Sequence, residues 1–249
     1  MAGAMRWWCL LAPAAMWAQT SSGTTGVAIR TPDRAVLAID SRVTLSAGDW
    51  AGRGADTCKL KPLGRFFVAV AGLYDHRETN FDAWRLAEEA AAGARSVSEA
   101  AALAERRIQP ELQTALGNIQ AADLAGFARH YSRAHLAICI AGLEPGGPAM
   151  AGRVFVADAN AAIRMVRWDG PPGSTGLFVF GEHAAIDAAY GGGKALAELA
   201  AARGPVEAAR TLVQLEIARE PESVGPPVSI LAITRDGAEW VQRGMCRGQ

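Results

Sequence analysis

Short apolar runs alternate with turn-forming residues from Val27 onward, and that alternation predicts most of the elements. Val27–Ile29 and Ala35–Ile39 flank Thr31-Pro32-Asp33-Arg34. Proline presets a turn dihedral and aspartate bonds its own backbone, so this segment predicts a β-hairpin. Leu45–Asp56, rich in Gly, Ala and Asp around Trp50, predicts a loop. Thr57–Leu63 alternates polar and apolar residues and predicts a strand that turns at Pro62-Leu63-Gly64. Arg65–Gly72 is a continuous apolar run, the pattern of a strand buried on both faces, and it ends at a glycine.

The period then changes. Phe81, Trp84, Leu86 and Ala87 recur at helical spacing beside Glu88 and Glu89. Ser96-Val97-Ser98-Glu99 is a capping box opening a helix from Val97 to about Arg107, with Pro110 breaking the run before a further helical segment. Phe127–Arg133 leads into a strand at Leu136–Leu143, and the turn Glu144–Pro148 returns it as Arg153–Ala157. Ile163–Trp168 and Gly176–Phe180 predict two more strands around Asp169–Ser174. Ala184–Ala202 reads as a helix weakened by Gly191-Gly192-Gly193, and Pro205–Glu220 as a second one with proline in its first turn. Val228–Thr234 and Glu239–Val241 close the chain as strands around Arg235-Asp236-Gly237. Blocks of strands and helices, rather than strict βαβ alternation, predict an α+β fold.

Composition narrows the function classes. Of 249 residues, 50% are apolar, enough for a sizeable core. Lys plus Arg equals Asp plus Glu at 25 each, which argues against a nucleic-acid partner. One positive charge in Met1–Arg6, the apolar run Trp7–Trp17 and small Ala18 read as a signal peptide over 1–18. A short propeptide at 19–23 and a domain at 24–249 follow, so the expected protein is exported and has no membrane partner once the leader is gone. Cys9 leaves with the leader; Cys58, Cys139 and Cys246 permit one disulfide and a free thiol, with Cys139 read as a small buried hydrophobe. Gly173-Ser174-Thr175-Gly176 has the wrong spacing for a nucleophile elbow, and Gly191-Gly192-Gly193-Lys194 is incomplete as a phosphate loop. His76, His130, His135 and His183 have no metal-ligand spacing.

The remaining chemistry lies around the hairpin. Gly23-Thr24-Thr25 precedes it and Asp40-Ser41-Arg42-Val43-Thr44 ends it. A threonine hydroxyl is a weak nucleophile that needs a nearby base. A free α-amino group titrates near pH 8 and can be that base for its own side chain. A neighbouring cation lowers the amine's pKa, and a carboxylate holds that cation in place.

The Gly-Thr-Thr start, the two strands and the Asp-Ser-Arg-x-Thr cluster resemble the proteasome β-subunit family, threonine peptidases among the N-terminal-nucleophile (Ntn) hydrolases. The resemblance implies a four-layer αββα sandwich of two antiparallel sheets flanked by helices. It implies self-cleavage between Gly23 and Thr24, which makes Thr24 the nucleophile. Asp40 becomes the orienting carboxylate and Lys59 the cation, with Lys61 a second candidate for that role. The loop ahead of Lys59 is longer than the family's. Gly72 would supply the oxyanion hole. Glu220-Pro221-Glu222-Ser223 stands where the family has Asp-x-x-Ser, so Ser223 and Glu220 would support the threonine amine. The family's other serine aligns with His135 or, a few residues away, Ser132. Val70 and Thr44 would lie beside a bound peptide.

The implied partner is a peptide or small-amide substrate, with no metal or organic cofactor and room for a homo-oligomer. Two other outcomes fit the same residues: an Ntn acylase acting on small amides, and an unprocessed, inactive binding or shell subunit.

Overall fold

A computed structural model describes residues 23–44, 54–132 and 135–246. The expected leader, residues 19–22 of the expected propeptide and residues 45–53 of the expected loop lie outside the described residues.

The chain opens with β1 (Thr25–Arg30) and β2 (Arg34–Ile39), the expected hairpin. A short ribbon pairs β3 (Arg42–Thr44) with β4 (Gly54–Asp56). Then come β5 (Leu60–Leu63), β6 (Phe66–Gly72) and a second ribbon of β7 (Asp75–His76) with β8 (Phe81–Asp82). Helices α1 (Ala83–Ala92), α2 (Val97–Ala122) and α3 (Leu124–His130) follow. Strands β9 (His135–Glu144), β10 (Gly147–Ala157), β11 (Ile163–Gly170) and β12 (Gly176–Gly181) form the middle block. Helices α4 (Ala184–Tyr190), α5 (Gly193–Arg203) and α6 (Pro205–Arg219) lead to the closing hairpin of β13 (Ser229–Thr234) and β14 (Gly237–Gln242).

Two five-stranded antiparallel sheets result. One has the order β12-β1-β2-β13-β14 and the other β11-β10-β9-β6-β5. Period-2 alternation sends the faces of each central strand to different cores. In β9, Leu136, Ile138 and Ile140 pack toward α1–α3, while Ala137, Cys139 and Ala141 face the other sheet. In β2, Val36 and Ala38 pack toward α4–α6, while Ala35, Leu37 and Ile39 face inward. The fold is therefore α+β, with two sheets face to face and a helical layer outside each.

Alanine dominates the inner faces of β6 and β9, and stacked rings fill space toward one side: Trp168 on Phe178 at 5.4 Å and Phe178 on Phe180 at 5.2 Å. Buried Arg153 ties α2 to the second sheet by ion pairs to Glu105 (3.0 Å) and Asp169 (2.9 Å).

Four expectations need correction. Gly54–Asp56, expected to end a loop, is strand β4, because it pairs with β3 across the ribbon. Helix α2 does not break at Pro110 but runs through it to Ala122. Pro110 sits on the exposed side, where the carbonyl it leaves unpaired can meet water, and Ile108, Leu112 and Leu116 hold the buried side on both flanks. Pro62 lies inside β5 rather than in the turn, and the turn comes at Gly64-Arg65. Strand β5 is a sheet edge, where a missing N–H costs no ladder bond. The stretch Ala184–Ala202 forms two helices, because Gly191 (φ 60°) and Gly192 (φ 143°) leave helical geometry between them. The Ser96 cap holds as expected, its hydroxyl accepting from Glu99 N at 3.1 Å. Among the described residues no helix is long and apolar enough to cross a membrane.

Candidate active site

Register brings five chain segments to one end of the sandwich. Thr25 pairs with Gly181 and Gly26 with Ile39, so the start of β1, the end of β2 and the end of β12 coincide. In the opposite sheet Gly72 pairs with Leu136, placing the end of β6 beside the start of β9. The two sheets meet here: a Cβ on Gly181 would lie 3.4 Å from the Ala71 side chain.

Thr24, Asp40 and Lys59 converge in this corner, and each is almost completely buried. Lys59 Nζ donates to Asp40 Oδ1 at 3.1 Å and lies 2.6 Å from Thr24 Oγ1. It also donates to the Gly23 carbonyl at 3.4 Å and to the Arg42 carbonyl. One ammonium therefore touches the hydroxyl and the carbonyl on either side of the Gly23–Thr24 junction. Lys59 immediately precedes β5, whereas Lys61 lies within it and goes elsewhere, with Nζ 4.4 Å above the Trp84 ring. Of the two lysines, Lys59 is the one bonded to Asp40.

Asp40 is held from every side. Its Oδ1 also accepts Thr25 N–H (3.1 Å), and its Oδ2 accepts Arg42 N–H (3.0 Å) and Gly225 N–H (3.1 Å). Burial pushes the Asp40 carboxyl up from its ordinary range and the Lys59 ammonium down from its own. Their mutual attraction opposes both shifts, with added help to Asp40 from the N–H groups of Gly225 and Thr25. The effect is to make the lysine proton more labile than on a surface lysine, while Asp40 fixes where it is held.

The C-terminal arm of the site is the Pro221–Pro227 loop after α6. Ser41 N–H donates to Gly225 O at 3.1 Å, the Ser41 hydroxyl to Pro227 O, and the Arg42 guanidinium to Pro221 O. Ser41 and Arg42 thus bind this loop against the end of β2, a role their sequence positions do not reveal. Ser223 packs directly on Gly23, where an added Cβ would fall 2.3 Å from the Ser223 Cβ. Its hydroxyl donates to the backbone carbonyl of Glu220 at 3.4 Å, and that carbonyl also accepts the N–H groups of Ser223 and Val224. Glu220 contributes its main chain to this turn.

Two glycines shape the opposite wall. Gly181 has φ 81°, and a Cβ there would lie 1.8 Å from the Thr24 carbonyl oxygen. Next to it, Glu182 N–H donates to that oxygen at 2.7 Å, and Thr25 Oγ1 donates to Glu182 O at 2.7 Å. Gly72 has φ 89°, and a Cβ there would strike the His135 carbonyl at 2.0 Å. Val70, two residues earlier, is fully buried and packs toward α1–α3 in the core. Thr44 ends β3.

Of the two candidates around the start of β9, Ser132 is occupied at the end of α3, its hydroxyl donating to Ala128 O at 2.8 Å. His135 is the one at Gly72: its carbonyl accepts Leu73 N–H at 2.8 Å, and its ring carbon Cδ2 lies 3.0 Å from where a Gly72 Cβ would sit. Burial, with a smaller push from His183, lowers the His135 pKa from 6.5 to about 4. The sign follows from proton binding. The folded state binds fewer protons than the unfolded chain, so this contribution is complete above pH 6.5 and is lost as pH falls toward 4. Urea unfolding between pH 7 and 4 should show stability falling by up to about 3 kcal/mol from this group. His135→Leu should flatten that part of the profile, and an unchanged slope in the variant would remove the assignment.

Cys58 forms a disulfide with Cys246, 188 residues away, and Cys139 is a buried free thiol whose pKa burial raises above its usual value. Among the described residues no group of His, Cys, Asp and Glu side chains is arranged to hold a metal ion. The arrangement gathers the Thr24 hydroxyl, the Gly23 carbonyl and the Asp40 carboxylate around the buried Lys59 ammonium. In comparisons with known proteins, the chain matches no protein-family model and no curated protein.

Proposed function

We propose that this chain is an exported amide-bond hydrolase with an N-terminal threonine nucleophile, built on the αββα Ntn-hydrolase plan and similar to a proteasome β-subunit. The observation that carries the reading is the Lys59 ammonium. It lies within hydrogen-bond distance of Thr24 Oγ1 and the Gly23 carbonyl while paired to Asp40. Export is supported by the charged-then-apolar order of residues 1–18 and by a disulfide, a bond favoured in oxidising compartments.

Activation begins with attack of the Thr24 hydroxyl oxygen on the Gly23 carbonyl carbon. The C–N bond to Thr24 breaks, the proton passes to the departing nitrogen, and Gly23 is left as an ester on Oγ1. Water hydrolyses that ester and leaves Thr24 with a free amine and a free hydroxyl. In turnover the amine takes the hydroxyl proton as Oγ1 attacks a peptide carbonyl, then delivers it to the leaving amine. Water, deprotonated by the same amine, releases the acyl group. The Gly72 backbone N–H stabilises the tetrahedral oxyanion, and Ser223, packed on Gly23, stands beside the nascent amine. Lys59 keeps that amine uncharged by repulsion.

Intact-mass measurement of the mature protein tests the reading. The expected chain begins at Thr24, and Thr24→Ala should retain Gly23 and lose all amidase activity with its fold intact. A mature wild-type chain beginning at Gln19 would leave the protein without its base and point to an inert binding or shell subunit.

A further inference from the structure

One buried polar atom in the candidate site has no use in the scheme above. His135 Nε2 is shut off from solvent and has no hydrogen-bond partner among the described residues. A buried donor or acceptor left unmade costs about 1–3 kcal/mol, so each such atom needs an explanation, and a partner that arrives during catalysis is one. The surroundings indicate where that partner arrives. The ring carbon bonded to Nε2 presses on Gly72, at the end of β6. The neighbouring Ala71 side chain faces Gly181, and Gly181 abuts the Thr24 carbonyl. His183, which faces His135 electrostatically from the turn after β12, is itself paired to Asp187 at 2.8 Å. No acidic group is among the charges acting on His135, and its low pKa keeps it neutral, a ring able to hold one N–H without a counter-charge.

Resting on the hydrolase reading, we propose that His135 is a further catalytic residue, whose Nε2–H donates to the carbonyl oxygen under attack by Thr24. It would be a second donor beside the Gly72 N–H. The charge it meets develops only as the tetrahedral centre forms, which explains why the atom is unpartnered before then. A preorganised donor of this kind stabilises the transition state more than the bound substrate.

Two reagents that modify the same oxygen differ in that charge. Acylation by p-nitrophenyl acetate joins Thr24 Oγ1 to the acetyl carbon through a carbonyl oxyanion, expels p-nitrophenolate, and passes the hydroxyl proton to the α-amine. Addition to phenyl vinyl sulfone joins the same oxygen to the terminal vinyl carbon. The proton ends on the carbon beside sulfur, and no carbonyl oxyanion forms. Both rates are read on the processed protein from the mass of the N-terminal peptide.

His135→Leu should slow acetylation about 100-fold, the effect of losing one oxyanion donor, and leave vinyl sulfone addition unchanged. His135→Gln, which restores an N–H donor, should recover most of the loss. The thermal midpoint of His135→Leu at neutral pH should equal or exceed that of wild type, because an unpaired polar atom has gone. Equal loss with both reagents would show a merely structural role and overturn the proposal, as would full acetylation of His135→Leu. Failure of wild-type Thr24 to react with either reagent would overturn the hydrolase reading itself, and the His135 role with it.

Discussion

Lys59→Met should be among the most damaging single substitutions in this protein. Among the described residues it removes the one cation bonded to Asp40, a carboxylate with no solvent exposure. Deleting one partner of a buried ion pair costs about 3–5 kcal/mol, because the other charge stays desolvated without its counter-charge. The three backbone N–H groups on Asp40 remain and place the expected loss toward the lower end. Activity should fall further than stability. Thr24 loses the contact at 2.6 Å and the Gly23 carbonyl loses its donor, so self-cleavage at Gly23–Thr24 should stop. Turnover of the variant freed at Thr24 by a protease site introduced ahead of it should drop on the order of 10³-fold. Urea unfolding, intact mass and amidase rate check the three parts. Coupling separates the ion pair from simple loss of packing: Lys59→Met with Asp40→Leu should be more stable than the sum of the single losses. Strict additivity, or a Lys59→Met protein as stable and as well processed as wild type, would mean that this pair does not organise the corner.

The second large effect comes from the other end of the chain. Cys246 is fully buried, its N–H donates to Arg243 O at 2.7 Å, and it lies 3.3 Å from the Ser229 hydroxyl. Its bond to Cys58 therefore fastens the segment after β14 to the residue directly before Lys59. Chain-entropy arithmetic for a closure of 188 residues gives about 5 kcal/mol, an upper bound because β13 already pairs with β2. Cys246→Ser should thus lose about 2–5 kcal/mol in urea unfolding under oxidising conditions. Dithiothreitol should bring the denatured-and-refolded wild type to the same stability, while the variant should not respond. Activity should fall in parallel, since the Lys59 backbone has lost a neighbour fixed across the molecule. A variant with the wild-type midpoint would assign the bond no part in holding this edge.

Different parts of the molecule were legible to different degrees. The hairpin could be read from Val27–Ile29, the Pro32-Asp33 turn and Ala35–Ile39, because turn chemistry is local and its residues pair with their own neighbours. The Ser96 cap was legible for the same reason. Pro110 misled because the rule against proline in helices concerns a single lost bond and a steric clash, whereas Ile108, Leu112 and Leu116 bury one face over many turns. At Gly191-Gly192-Gly193 the chain does break, because positive φ at two consecutive residues takes the backbone out of the helix.

The candidate site shows the same division. Thr24, Asp40 and Lys59 stood out through a chain-order pattern, with Lys61 a second candidate until packing sent Lys59 to Asp40 and Lys61 to Trp84. The serine-or-histidine ambiguity had the same cause: Ser132 and His135 are three residues apart, but one ends a helix and the other begins a strand. The loop-binding roles of Ser41 and Arg42 were missed, and Glu182 and Gly181 were missed outright. Their partners lie more than 150 residues away, and nothing in a local window marks a serine hydroxyl that will meet Pro227 or a glycine that will face Thr24.

By itself, the sequence determined the alternation of faces, the turns, the caps and the residue types available for proton transfer, since each depends on bonds between near neighbours. Only the tertiary structure decided which lysine meets Asp40, that Cys246 reaches Cys58, and that His135 Nε2 is buried with no partner among the described residues. Those outcomes depend on strand register across two packed sheets, where a shift of one residue reverses every side chain.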